Sequence, residues 1–158
     1  MLISTRGRYA LRVMIDLAEH TGDVYVPLKD IAQRQDISRK YLESIMTVLS
    51  KNDMVEGLHG KGGGYRLVKE PEDYCVGDIL RLMENSLAPV SCLGEDADPC
   101  ERAAECKTLP MWTKLFHLIN DYFDHITVAD LADCESADNY VIPFITYTVL
   151  LRQLFIVI

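Results

Sequence analysis

The sequence predicts a mainly α-helical fold with a small β-hairpin wing, a winged helix-turn-helix followed by one long helix. Three stretches predict it. The first is a pair of apolar-periodic segments, built on Leu28, Ile31 and Ala32 and on Leu42, Ile45, Met46 and Leu49, separated by the tight turn at Asp36-Ile37. The second is His59-Gly60-Lys61-Gly62-Gly63-Gly64, a glycine-rich tip between the short strand candidates Met54–Leu58 and Tyr65–Val68. The third is an amphipathic run from Leu109, in which Trp112, Leu115, Phe116, Ile119, Phe123 and Ile126 share one face.

In chain order, Ser4 is a natural N-cap for a first helix whose apolar positions are Ala10, Leu11, Val13, Met14, Leu17 and Ala18. That helix should end near His20-Thr21-Gly22, and Val24-Tyr25-Val26 is β-like. Pro27 suits the start of a short second helix. Ser38 can cap the third helix, with Ile37 and Leu42 placed as a hydrophobic staple. Burying each of Leu42, Ile45, Met46 and Leu49 contributes about 1.5–3 kcal/mol. The opposite face carries Arg39, Lys40, Glu43, Ser44, Thr47 and Lys51, with Tyr41 near the start. A polar, cationic helix N-terminus after a tight turn can meet phosphate and base edges, although an ordinary solvated face has the same pattern. A hairpin directly after that helix favours the first reading, because glycines remove side chains from a tip that must approach closely. The tip matches neither G-x-x-x-x-G-K-[ST] nor G-x-G-x-x-G, which leaves nucleotide binding unsupported. Val76 to Met83 reads as a fourth helix, with Ser86–Ser91 as a linker after it.

Charge is divided along the chain. The net of −8 arises from a front of residues 1–70 at +2 and a back of residues 71–158 at −10. The front can therefore meet phosphates that the back would repel. Hydrophobic residues make up 49%, enough for a packed core. The first residues show no signal-peptide pattern, so a reducing cytoplasm is expected. Five cysteines are then an odd set for a disulfide framework.

Three of those cysteines, Cys92, Cys100 and Cys106, stand as C-x7-C-x5-C in a loop rich in acids, Gly and Pro. Zinc sites favour close C-x2–4-C pairs and four ligands. The wider spacing suits thiolates around an iron–sulfur cluster, while a cluster-free thiol switch is the competing reading. Cys75 and Cys134 stand alone and read as packing residues, and His117 and His125 read as solvated positions on the long helix.

Several motifs occur together: Leu2-x-Ser4-Thr5-x-Gly7-Arg8-Tyr9-Ala10; Ile31-Ala32 with Ile37-Ser38-x-x-Tyr41-Leu42-Glu43; and Gly60-x-Gly62-Gly63-Gly64-Tyr65-x-Leu67. With Val76-Gly77-Asp78-Ile79, the three-cysteine loop, Trp112 and Ile126-Thr127-Val128-x-x-Leu131, they resemble the IscR, NsrR and CymR group of bacterial transcription regulators over residues 1–133. The resemblance implies a homodimer of winged helices that binds a palindromic operator, and a cluster in members with three cysteines. It also implies a fourth ligand, which members supply from a His three residues after the third Cys or from an acid in the first helix. Here those places hold Leu109 and Arg8, so the fourth ligand stays open. Relatives often carry Arg where this chain has His59.

These readings divide the chain into a DNA-binding domain over 1–85, a cysteine-rich sensor loop over 86–108, a dimerisation helix region over 109–135 and an apolar extension over 136–158. Ser38, Arg39, Lys40, Tyr41, Glu43 and Ser44 are the expected major-groove contacts, with His59, Gly60, Lys61 and Gly62 at the wing. Cys92, Cys100 and Cys106 are the expected ligands of an iron–sulfur cluster, 2Fe-2S before 4Fe-4S. The expected function is a repressor switched by that cluster. The alternative is a cluster-free regulator of the same fold that senses an oxidant, a metabolite or a protein partner. No Ser/His/Asp set or paired-acid motif supports an enzyme. The extension approaches the length of a membrane span, but Pro143 and Arg152-Gln153 lie inside it, and a cation that deep costs about 2.5–3.5 kcal/mol. It is expected to pack on the dimer rather than enter a membrane.

Overall fold

The computed structural model describes residues 3–20, 24–60, 62–84, 86–94, 97–98 and 100–133. Lys61, Cys134 and the extension over 136–158, on which expectations fell, lie outside the described residues.

Helix α1 (Thr5–Glu19) starts where Ser4 caps it, the Ser4 hydroxyl accepting from the N–H groups of Arg6 and Gly7. Helix α2 (Leu28–Gln35) ends at Asp36, which turns the chain in the left-handed conformation at φ 50° and ψ 48°. Helix α3 (Arg39–Lys51) begins at once, capped by Ser38, and buries the expected Leu42, Ile45, Met46 and Leu49. Strands β1 (Val55–Leu58) and β2 (Gly64–Leu67) pair antiparallel, Val55 opposite Leu67 and Leu58 opposite Gly64. Val26 adds a single bridge to Tyr65 through two backbone hydrogen bonds of 2.8 Å. Any side chain at Gly64 would collide with the Val26 carbonyl, so glycine is required there.

Helix α4 (Val76–Met83) has the expected bounds. Helix α5 (Leu109–Asp124) is followed by α6 (Val128–Ala132), which Thr127 and Asp130 open with a capping box. Ile126, expected on the face of the long helix, instead lies past its end, in the short connection to α6. There its carbonyl accepts from Val76, and Val128 donates to the Tyr74 carbonyl.

One apolar cluster joins α1, α2, α3, the hairpin and α4, and includes the fully buried Val128 of α6. A second joins Val76, Leu80, Leu87 and Ile126, with Phe116 and Phe123 of α5 packed against it. Arg81 reinforces this junction, reaching Asp124 at 2.5 Å and Asn120 at 3.1 Å on α5. Among the described residues no helix is long and apolar enough to cross a membrane.

Candidate nucleic-acid interface and cysteine loop

The buried stripe of α3 leaves its opposite face to solvent. Ser38, Arg39, Lys40, Tyr41, Glu43 and Ser44 are all exposed. Ser38 Oγ accepts from the Tyr41 N–H at 3.3 Å, and Ser44 Oγ donates to the Tyr41 carbonyl at 2.6 Å. Among the described residues neither Arg39 nor Lys40 forms an ion pair, so both charges are open to an external anion.

A chain of contacts from α1 fixes the start of α3. The Tyr9 and Tyr41 rings meet edge to face at 5.8 Å, and Arg12 lies over Tyr9 at 5.2 Å. Arg12 donates to the Gln35 side chain at 3.1 Å and also to its carbonyl. Gln35 and Arg34 both donate to Asp16, Arg34 through a fork of 2.6 and 2.9 Å. Asp16 is fully buried. Burial pushes its carboxyl up, but the Arg34 and Gln35 hydrogen bonds and the Arg34 charge outweigh that and hold it below the usual carboxylate range.

The wing stands beside α3. Gly60 and Gly62 adopt φ of 103° and 82°, values that other residues rarely reach. His59, Gly60 and Gly62 are exposed. A cleft of about 530 Å³ lies between wing and helix, lined by Thr47, Ser50 and Lys51 on one side and by Leu58, His59 and Gly60 on the other. The wing thus stands across a groove from the C-terminal half of α3, while the polar residues from Ser38 to Ser44 are exposed nearer the start of the same helix and do not line it. Arg66 of β2 is committed to Glu56 and stacks 4.8 Å from the Tyr25 ring. The Arg66 hydrogen bond holds the Glu56 carboxyl below its ordinary value.

The three thiols are differently placed. Cys92 lies in a 3-10 turn (Ser91–Leu93) and is exposed, as is Cys100. Cys106 follows a second such turn (Ala103–Glu105) and is partly covered. The Thr108 hydroxyl 3.5 Å from its sulfur, with the Thr108 and Leu109 N–H groups at the start of α5, lowers the Cys106 thiol. Cys75 differs: burial and the facing Asp78 push its thiol up, as suits a packing residue. Three reduced thiols are donors of the right chemistry for an iron–sulfur cluster, one short of four. The fold does not gather them, since among the described residues no three His, Cys, Asp or Glu side chains form a metal-binding group. Backbone hydrogen bonds from Val90 to Leu109 each join residues three apart, so among the described residues only local turns hold the loop backbone.

The apolar face expected on the dimerisation helix is partly used within the chain, since Phe116 and Phe123 of that face pack on the body. The uncovered residues are Met111, Leu115, Leu118 and Tyr122, exposed by 55%, 38%, 50% and 38%. Their spacing of four, three and four is a coiled-coil seam, legible in the sequence but hidden beside the larger aromatic stripe.

Residues 3–134 match the Rrf2 family, described as iron-dependent transcriptional regulator. The regulator IscR of Erwinia tasmaniensis is 36% identical over 133 residues, covering 84% of this chain and 79% of that protein. The crystal structure of CymR, the global cysteine regulator of B. subtilis, has a TM-score of 0.70 at 35% identity, covering 86% of this chain and 99% of that one. IscR of T. potens has a TM-score of 0.68 at 35% identity, covering 93% and 97%. These similarities agree with the winged fold and with a regulator rather than an enzyme, and the chain belongs to the Rrf2 family of iron-dependent transcriptional regulators.

Proposed function

We propose that this chain is a homodimeric, cytoplasmic repressor that binds an operator in double-stranded DNA and is switched by an iron–sulfur cluster held by Cys92, Cys100 and Cys106. The observation that carries the DNA reading is the exposed polar face of α3, Ser38 to Ser44, with the wing standing beside the C-terminal half of the same helix. Arg39, Lys40, Tyr41 and Ser44 of the recognition helix enter the major groove, with Ser38 at its cap on the phosphates. Glu43 accepts from a cytosine amine or excludes other bases. His59, Gly60, Lys61 and Gly62 follow the sugar-phosphate backbone or the minor groove. The stripe Met111, Leu115, Leu118 and Tyr122 supports the homodimer, since a second copy offers the same seam and no residue of α5 is buried within one chain. Two-fold symmetry then calls for an inverted-repeat operator.

Three reduced cysteines in a locally held loop support the cluster, with 2Fe-2S preferred to 4Fe-4S and the fourth ligand supplied from elsewhere. A bound cluster supplies a site that oxidants or iron supply can change. The protein's part is to place the loop directly before α5, whose exposed stripe forms the dimer. A second reading, a cluster-free regulator, is favoured by the ungathered thiols.

Protein purified without oxygen tests both readings. The expected result is visible sulfur-to-iron absorption that disappears in the Cys92→Ala, Cys100→Ala, Cys106→Ala triple variant. Selection from random duplex DNA should return an inverted repeat. A colourless, iron-free preparation with all three thiols intact would establish the cluster-free regulator instead. Failure to select any duplex would overturn DNA binding.

A further inference from the structure

Tyr74 follows a 3-10 turn (Pro71–Asp73) and is only 4% exposed. Its hydroxyl accepts from the N–H of Val68 at 2.9 Å and of Lys69 at 2.7 Å, and donates to the Met54 carbonyl at 2.9 Å. A phenol has one proton to donate and two lone pairs to accept with, so its capacity is filled. Met54 leads into β1, and Val68 and Lys69 leave β2. One oxygen therefore closes the open end of the hairpin, opposite the glycine tip. This adds to the Val26 bridge and to the burial of Val55 and Leu67 in holding a hairpin of only four residue pairs, which by itself would be marginally stable in water.

The backbone around the same residue is tied to the other half of the chain. The Tyr74 carbonyl accepts from Val128 at 2.9 Å, and Val76 donates to Ile126 at 2.8 Å. The base of the wing is thereby fastened to the segment that directly follows α5.

We propose that Tyr74 is a positioning residue for DNA binding: its hydroxyl sets the direction in which the wing leaves the body, and its backbone ties that base to the start of α6, just after α5. This rests on the reading that the wing meets DNA. Without the hydroxyl, the Met54 carbonyl and two N–H groups turn to water and the hairpin base opens. The aromatic ring stays buried, so the core survives while the wing loses its fixed aim.

The test compares Tyr74→Phe, Lys61→Ala and the double variant, with duplex binding measured well below each unfolding midpoint and across a salt series. Tyr74→Phe should raise the dissociation constant about tenfold, the equivalent of roughly one net hydrogen bond. It should reduce the slope of log K against log salt by about one, the loss of one phosphate contact. The double variant should bind little worse than Lys61→Ala alone, because both remove the same contact. Hydrogen exchange should show the Val68 and Lys69 amides losing protection while Val76 and Val128 keep theirs. If Lys61→Ala weakens binding but Tyr74→Phe lowers only the melting temperature, Tyr74 is merely structural and the proposal is overturned. Additive effects in the double variant would overturn it as well. If Lys61→Ala changes neither affinity nor slope, the wing reading itself fails, a result distinct from failure at Tyr74.

Discussion

Helix α3 has 13 residues and buries Leu42, Ile45, Met46 and Leu49; helix α5 has 16 and buries none. Both are amphipathic, yet among the described residues only the first has its apolar stripe covered. Helices α1, α2 and the hairpin surround α3, so its apolar stripe meets side chains fixed by short connections. Helix α5 touches the body along one edge, through Phe116, Phe123 and the Arg81 ion pair, and leaves a second apolar edge to water. An uncovered stripe of four large side chains is costly for a soluble chain to keep unless something covers it. The winged half thus buries its apolar faces among the described residues, whereas the arm leaves one apolar edge exposed, the edge proposed above to meet a second copy.

The sharpest way to break this contrast is to truncate one residue from each helix. Ile45→Ala should lower unfolding stability by about 2–5 kcal/mol, the loss for a fully buried aliphatic side chain. Leu118→Ala should cost the dilute monomer less than about 0.5 kcal/mol, as for a surface position. Urea denaturation at low protein concentration measures both, and equal losses would remove the asymmetry.

Placing a charge on the seam reads the other side of the comparison. Leu118→Glu should weaken self-association at least thirtyfold, on the order of 2 kcal/mol, with the helical circular dichroism retained. Sedimentation equilibrium decides it, and an undiminished dimer would show that the seam lies elsewhere.

The next effect belongs to the winged half alone. Asp16 is held below the usual carboxylate range, so its stabilisation is complete above about pH 4 and is lost as pH falls through its lower folded value. Asp16→Asn should therefore cost on the order of 2 kcal/mol at neutral pH, with the gap to the native chain closing as the solution becomes more acid. Thermal unfolding between pH 2 and pH 7 measures it, and a gap independent of pH would assign the loss to shape rather than charge. Smallest is Lys61→Ala, which should weaken duplex binding across sequences and reduce the salt slope by about one. An unchanged slope would remove the wing from the interface.

Much of the winged half was legible because its signals are local. Ser4 and Ser38 cap helices within their own first turns, and the spacing in Leu42, Ile45, Met46 and Leu49 states which side of α3 is inside. Gly60 and Gly62 announce a backbone that other residues avoid. The candidate DNA-contacting residues were legible for the same reason, as they are the remainder of α3 once its core face is known. The Asp16–Arg34 pair was not, since residues 18 apart in sequence meet only after α1 and α2 pack.

What the sequence by itself determined is therefore the order and type of elements, the winged architecture and the kinship of the chain, all of which depend on short-range pattern. Tertiary structure alone decided which of two apolar edges on α5 is covered, that Ile126 leaves the helix to pair beside Val76, and that Tyr74 closes the wing. It also left Cys92, Cys100 and Cys106 in a row of local turns rather than at one point. The reason is physical: capping and periodicity act within a turn or two of the chain, whereas burial and partner choice depend on surfaces that distant residues bring together.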